Sequence, residues 1–229
     1  MISAQNYELK TTQKILKVAE SLFASEGFDA VSIRQITKRA GVNLAAVHYH
    51  FGSKKKLMEQ ILKRKLTILN ESRNSALSNL EEKADGRPLR PSDIVEAFFG
   101  VLFSLYEDSK NGGADFLKLL SRTSTDPNNV IWSNVDSQSN AVNERFRDAL
   151  FKSLPDVPKN EIVWRFHFMI GATVHAIAGT GLSQIFKSPA LPEENTEDCP
   201  KIAKKRLLSF LVGGLRSPSP RAIPNVTNH

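Results

Sequence analysis

Apolar residues recur at helical spacing along most of the chain, and between residues 31 and 54 they mark two short helices joined by a tight turn. Ile33, Ile36 and Ala40 form one stripe. It is preceded by a Ser32-x-x-Gln35 capping box with Val31 and Ile36 at the staple positions. Gly41 can take the left-handed conformation that ends such a helix. Asn43 is a good N-cap for the second helix, in which Val47 and Phe51 face inward. Its outer face carries Ala45, Ala46, His48 and Tyr49. Small residues let a helix approach DNA closely, and His and Tyr can bond to bases or phosphates. The pattern predicts a helix-turn-helix whose second helix enters a major groove.

Downstream, helical stripes alternate with breakers. Ser53 to about Glu82 reads as one long helix, broken by Gly86 to Pro91. A helix from Ser92 or Asp93 follows, with Ile94, Phe98, Leu102 and Leu105 on one stripe. Further helices are expected over 114–124, 130–153, 159–187 and 202–212, with a Pro- and acid-rich loop over 188–200. Residues 213–229 hold three prolines and little apolar content, which predicts a flexible tail. No strand alternation occurs. The class is all-α: an N-terminal three-helix domain (1–56), a helical bundle (57–212) and a tail (213–229).

Charge sharpens the reading of the first domain. Residues 1–70 carry 12 Lys and Arg against 5 Asp and Glu, whereas residues 71–229 carry 19 of each. The whole net charge of +7 therefore resides in the first third, as expected of a surface that meets a polyanion. Lys54, Lys55 and Lys56 fill the first turn of the long helix, where the helix dipole disfavours cations. Bound phosphate would turn that liability into an advantage.

The stretch resembles the DNA-binding signature of TetR-family repressors. The resemblance lies in Ala40-Gly41-Val42-Asn43, then His50-Phe51-Gly52-Ser53-Lys54, with an upstream helix holding Ala19, Leu22, Phe23 and the Gly27-Phe28 exit. Two departures are Ala45, where the family usually has glycine, and His48, where tyrosine is common. The resemblance implies a repressor that binds a palindromic double-stranded DNA operator as a homodimer and is released by a small-molecule effector. The candidate DNA-contacting residues are Ser32, Arg34, Asn43, Ala45, Ala46, His48, Tyr49, His50 and Lys54. Lys54 matches the family's phosphate-contacting lysine.

Aromatic residues concentrate in the second domain. Phe98, Leu102, Phe103, Tyr106, Leu120, Arg122, Phe146, Trp164 and Phe168 are candidates for an effector site, since bundle interiors commonly host apolar ligands. Most aromatics at helical spacing are simply core. The segment Asp115–Arg122 more weakly resembles regulators that respond to fatty acids or acyl-CoA thioesters, and Arg122 could pair a carboxylate. Gly171, Ala172, His175, Ala176 and Gly179 make a ridge of small residues. With Leu207, Leu208 and Leu211 it could form the two-fold interface that the resemblance implies.

An enzyme is the class to exclude. There is a single cysteine, Cys199, and His167 and His175 lie about 80° apart around a helix, so no metal site of usual spacing exists. No phosphate-binding loop, dinucleotide fingerprint or nucleophile elbow occurs. No cofactor is expected. The N-terminal segment lacks an apolar signal-peptide core, no apolar run is long enough for a membrane span, and one cysteine fits a reducing cytoplasm. A ligand-independent architectural DNA-binding protein is the rival, but it would have no need of the aromatic bundle.

Overall fold

The computed structural model describes residues 4–107, 112–124, 130–177 and 199–219. Its helices are α1 (Ala4–Glu26), α2 (Ile33–Ala40), α3 (Leu44–Phe51) and α4 (Lys54–Ala84). They continue with α5 (Pro91–Val95), a π-helical turn (Glu96–Gly100), α6 (Val101–Glu107) and α7 (Gly113–Ser124). The last three are α8 (Val130–Ser153), α9 (Lys159–Ile177) and α10 (Cys199–Leu215). Among the described residues there is no strand.

The caps form as the sequence dictates. Ser32 and Gln35 complete the capping box of α2: Gln35 N–H donates to Ser32 Oγ at 3.2 Å, and Ser32 N–H donates to Gln35 Oε1 at 2.7 Å. Gly41 ends α2 at φ 60°, ψ 43°, a conformation in which a side chain would be strained. The Asn43 side chain accepts from the backbone of Ala45 and Ala46 at the start of α3. Ser53 Oγ accepts from Lys56 N–H at the start of α4.

Three expectations are corrected. The helix anticipated from Ser92 or Asp93 starts at Pro91, whose missing N–H suits the first helical position. It then widens into the π-turn at Glu96–Gly100, which periodicity does not signal. The last helix runs past Val212 to Leu215, because Leu215 is fully buried and its carbonyl accepts from Arg165 Nη1 at 2.8 Å. The remainder of the 159–187 helix, with Gly179, and the loop to residue 198 lie outside the described residues, as does the tail from 220.

Two apolar cores hold the chain. The first contains Leu22, Phe23, Ile36, Val47 and Phe51 of α1–α3, but also Leu62 and Leu69 of α4, Phe103 of α6, and Phe116 and Leu120 of α7. It crosses the boundary expected at residue 56, and α4 crosses it too. The second core gathers Phe98, Phe99, Phe146, Ile162, Phe166 and Leu211. Phe98 stands edge-on to Phe99, Phe146 and Phe166 at centroid separations of 4.7, 4.9 and 4.9 Å. Such ring pairs add about 0.5–1.5 kcal/mol each beyond the area they bury.

Candidate DNA interface and effector cavity

The outer face of α3 is presented as the sequence implies. Tyr49 is 77% exposed, Ala45 and His48 are exposed, Ala46 is half-buried, and Val47 and Phe51 are buried beneath them. Ser32, Arg34 and Asn43 are also exposed. His48 Nδ1 lies 3.1 Å from the Gly52 carbonyl. A carbonyl only accepts, so Nδ1 carries the proton and a neutral ring keeps Nε2 as an acceptor facing away from that bond. His50 turns elsewhere: it is half-buried, with Nδ1 3.4 Å from Thr12 Oγ1 on α1 and its ring edge-on to Tyr49.

Lys54 has local partners that its sequence position does not reveal. Its Nζ donates to the carbonyls of Phe28 and Val31, both at 2.9 Å, and lies 4.4 Å from the centre of the Phe28 ring. The first-turn liability is thus compensated inside the protein, by carbonyls at the exit of α1. Lys55 and Lys56 are exposed.

Between the two cores lies a cavity of about 270 Å³. Phe98, Phe99, Leu102 and Leu120 give it an apolar lining, and Arg73, Ser139, Asn143 and His167 add polar groups. Of the expected effector residues, Phe98, Leu102 and Leu120 reach it. The others do not line it. Phe103 and Phe146 are fully enclosed in the cores, and Tyr106 packs on the first core from its edge. Arg122 is exposed on α7 beside the Gly27 turn, so its reach is toward the end of α1. Trp164 and Phe168 are 59% and 63% exposed, on the outside of α9.

Arg73 is the residue that sequence reasoning missed. It is buried on α4, where Nε donates to the Phe98 carbonyl at 3.0 Å and Nη1 approaches Asn70 Oδ1 at 3.5 Å. Its guanidinium stacks 3.7 Å from the centre of the Phe98 ring. Burial pushes it down to about 9, so it still carries its charge at neutral pH. The signal was available: Leu62, Leu66, Leu69, Arg73 and Leu77 fall on one helical stripe, with arginine at an apolar position.

The outer faces of α9 and α10 form a second surface. Trp164 stacks on Phe168 at 5.9 Å, and with Phe210, 68% exposed, they border an open groove of about 470 Å³. Gly171 and His175 continue this face; a side chain added at Gly171 would meet nothing within 4 Å. Ala172, Ala176, Leu207 and Leu208 are half-buried at its edge, whereas Leu211 is buried in the second core. Arg165 fixes the two helices, reaching Leu215 on α10 and Glu161 on its own helix at 3.6 Å.

A head with a capped helix-turn-helix, joined through one core to a helical bundle, matches known proteins along the chain. Residues 15–61 match the family described as bacterial regulatory proteins, tetR family, and residues 96–214 match the tetracyclin repressor-like C-terminal domain. The chain belongs to the TetR family. Among curated TetR-type relatives, the uncharacterized HTH-type transcriptional regulator YerO of Bacillus subtilis is 31% identical over 117 residues, 51% of this chain and 37% of YerO. The biofilm operon icaADBC negative regulator IcaR of Staphylococcus aureus is 37% identical over 113 residues, 42% of this chain and 61% of IcaR. The match thus spans little more than a third of YerO. Solved TetR-like structures share the fold at low identity. The fatty acid degradation regulator FadR of Bacillus halodurans aligns with a TM-score of 0.65 at 13% identity, covering 91% of this chain and 97% of FadR. The ketosteroid regulator KstR2 of Mycobacterium tuberculosis gives 0.60 at 17%, covering 88% and 93%.

Within this TetR family member no helix of the described residues is long and apolar enough to cross a membrane. No group of His, Cys, Asp or Glu among them could hold a metal ion.

Proposed function

We propose that this chain is a homodimeric repressor, released from a palindromic operator when a small apolar or acyl-type effector enters the bundle. The observation that carries the reading is the position of the cavity. It is lined by Leu66, Leu69, Leu102 and Leu120, and all four belong to the core that also holds the DNA-binding head. Leu120 lies on α7, which packs against α1. An ion pair between half-buried Lys65 and buried Glu20, Nζ to Oε1 at 3.1 Å, also ties α4 to α1. A ligand that moves α4 or α7 therefore moves the head.

The dimer follows from the scale of the reading element. An eight-residue recognition helix spans about 12 Å, too little to specify a genomic site alone. Two heads about 34–36 Å apart read an inverted repeat. The exposed Trp164, Phe168 and Phe210 supply an apolar face for a second copy of this chain, flanked by glycines. The effector favours a head spacing that no longer matches successive major grooves.

The test is a mobility-shift titration on an inverted repeat from the DNA flanking the gene. Added effector must release the operator, and operator must weaken effector binding by the same factor. A chain that binds DNA tightly, with no ligand able to weaken it, is an architectural protein instead.

A further inference from the structure

We infer that the bundle cavity takes a small amphipathic anion, a carboxylate or phosphate head on a short apolar tail, with Arg73 as its anchor. This deepens the effector reading above and rests on it. Arg73 is a buried, charged guanidinium that no carboxylate among the described residues neutralises. A buried cation without a counter-ion is strongly unfavourable, and buried charges are ordinarily paired, so an anion bound beside Arg73 would relieve that cost. Its fork is held rather than free: Nε donates to the Phe98 carbonyl, Nη1 to Asn70 Oδ1, and Cζ lies over the Phe98 ring. Fixed in this way, the remaining N–H groups are pre-oriented for two-point contact with a planar or tetrahedral oxyanion.

The surroundings select the rest of the ligand. Asn70 bridges Arg73 to Ser139, its Nδ2 donating to Ser139 Oγ at 3.5 Å, so the polar groups are linked in one chain. Phe99, Leu102 and Leu120 offer only apolar surface to a tail. A volume of about 270 Å³ lies below the usual range of small-molecule sites, roughly 300–1,000 Å³. A medium-chain acid fits that space, whereas the head of an acyl-CoA does not. A thioester also brings no charge to the position that Arg73 can neutralise.

The experiment is calorimetric titration of the full chain with octanoate, octyl phosphate, octanol and octanamide, repeated on Arg73→Met and Arg73→Lys. We expect at least one anion to bind 10-fold or more tightly than both neutral compounds. Arg73→Met should abolish that preference by weakening the anion to the level of the neutral compounds, and Arg73→Lys should retain part of it; a preference that survives Arg73→Met overturns the anchor. The better of octanoate and octyl phosphate identifies the head group. Equal affinity for anions and neutrals in the unmodified protein overturns the anchor and leaves an apolar effector site standing. Failure of all four to bind at millimolar concentration overturns both. The comparison of head groups needs no variant, so a misfolded substitution cannot obscure the answer.

Discussion

The ammonium of Lys54, at the start of α4, sits on the carbonyl of Phe28 at 2.9 Å and over its ring at 4.4 Å. The contact joins the exit of α1 to the helix that leaves the DNA-binding head. Lys54→Ala should therefore cost about 1–2 kcal/mol of stability, since hydrogen bonds from charged donors are worth somewhat more than neutral ones. Urea denaturation of the free protein reads this directly. A lysine whose only role was to touch phosphate would leave the unfolding midpoint unchanged and alter only the salt dependence of DNA binding.

His48 should carry specificity at one base pair rather than general affinity. With Nδ1 held by the Gly52 carbonyl, the His48 ring has a fixed orientation. His48→Ala should flatten discrimination at one base pair by about 1–3 kcal/mol. Competition binding against single-base operator variants would show the loss at one position, and uniform weakening at every position would refute the assignment.

Glu20 makes the joint between α1 and α4 sensitive to pH. Burial raises its carboxyl above the ordinary value, and the nearby Lys65 opposes that shift without cancelling it. A raised folded-state value means the folded protein holds the proton more tightly. The ionised carboxylate therefore carries its penalty above that value and sheds it as pH falls toward 4.5. Glu20→Gln should raise the melting temperature at pH 7, with the difference shrinking as pH falls through the carboxylate range. A difference that grows in acid would reverse the sign and refute this account.

The proposed dimer face makes the clearest separation of folding from assembly. Phe168 is 63% exposed and Gly171 has open space around it, so neither Phe168→Glu nor Gly171→Leu should disturb the folded chain. Both should block close approach of a second copy. Light scattering at micromolar concentration should give monomer for Phe168→Glu, with helical circular dichroism intact and operator affinity lost. A Phe168→Glu dimer that still binds its operator would place the interface elsewhere.

What the sequence discloses and what it conceals differ by range. Ser32, Gln35, Gly41 and Asn43 act within four residues of themselves, so their roles are legible from spacing alone. Trp164 and Phe168 show that periodicity assigns residues to one side of a helix without naming the neighbour on that side. The same four-residue spacing suits an inner cavity or an outer face, and the packing of α9 against α7, α8 and α10 decides. The inward position of Arg73 is legible from the α4 stripe, but what it meets there is not. It lies in a helix rich in exposed charges, such as Lys63, Arg64 and Glu71, and its partner is a backbone carbonyl in a π-turn. A carbonyl has no residue type to recognise.

The unbroken run of α4 gives the molecule mechanical leverage. Arg73 and Lys54 lie 19 residues apart on it, roughly 28 Å along the axis at 1.5 Å per residue. A tilt of about 5° about the Arg73 end would sweep the Lys54 end through roughly 2.5 Å of that arc. In the proposed two-fold pair the sweeps would oppose, changing the separation of the reading heads by about 5 Å against a groove repeat of about 34 Å. On the proposed mechanism, a displacement at the cavity too small to break any helix would thus be amplified into a misfit between two rulers.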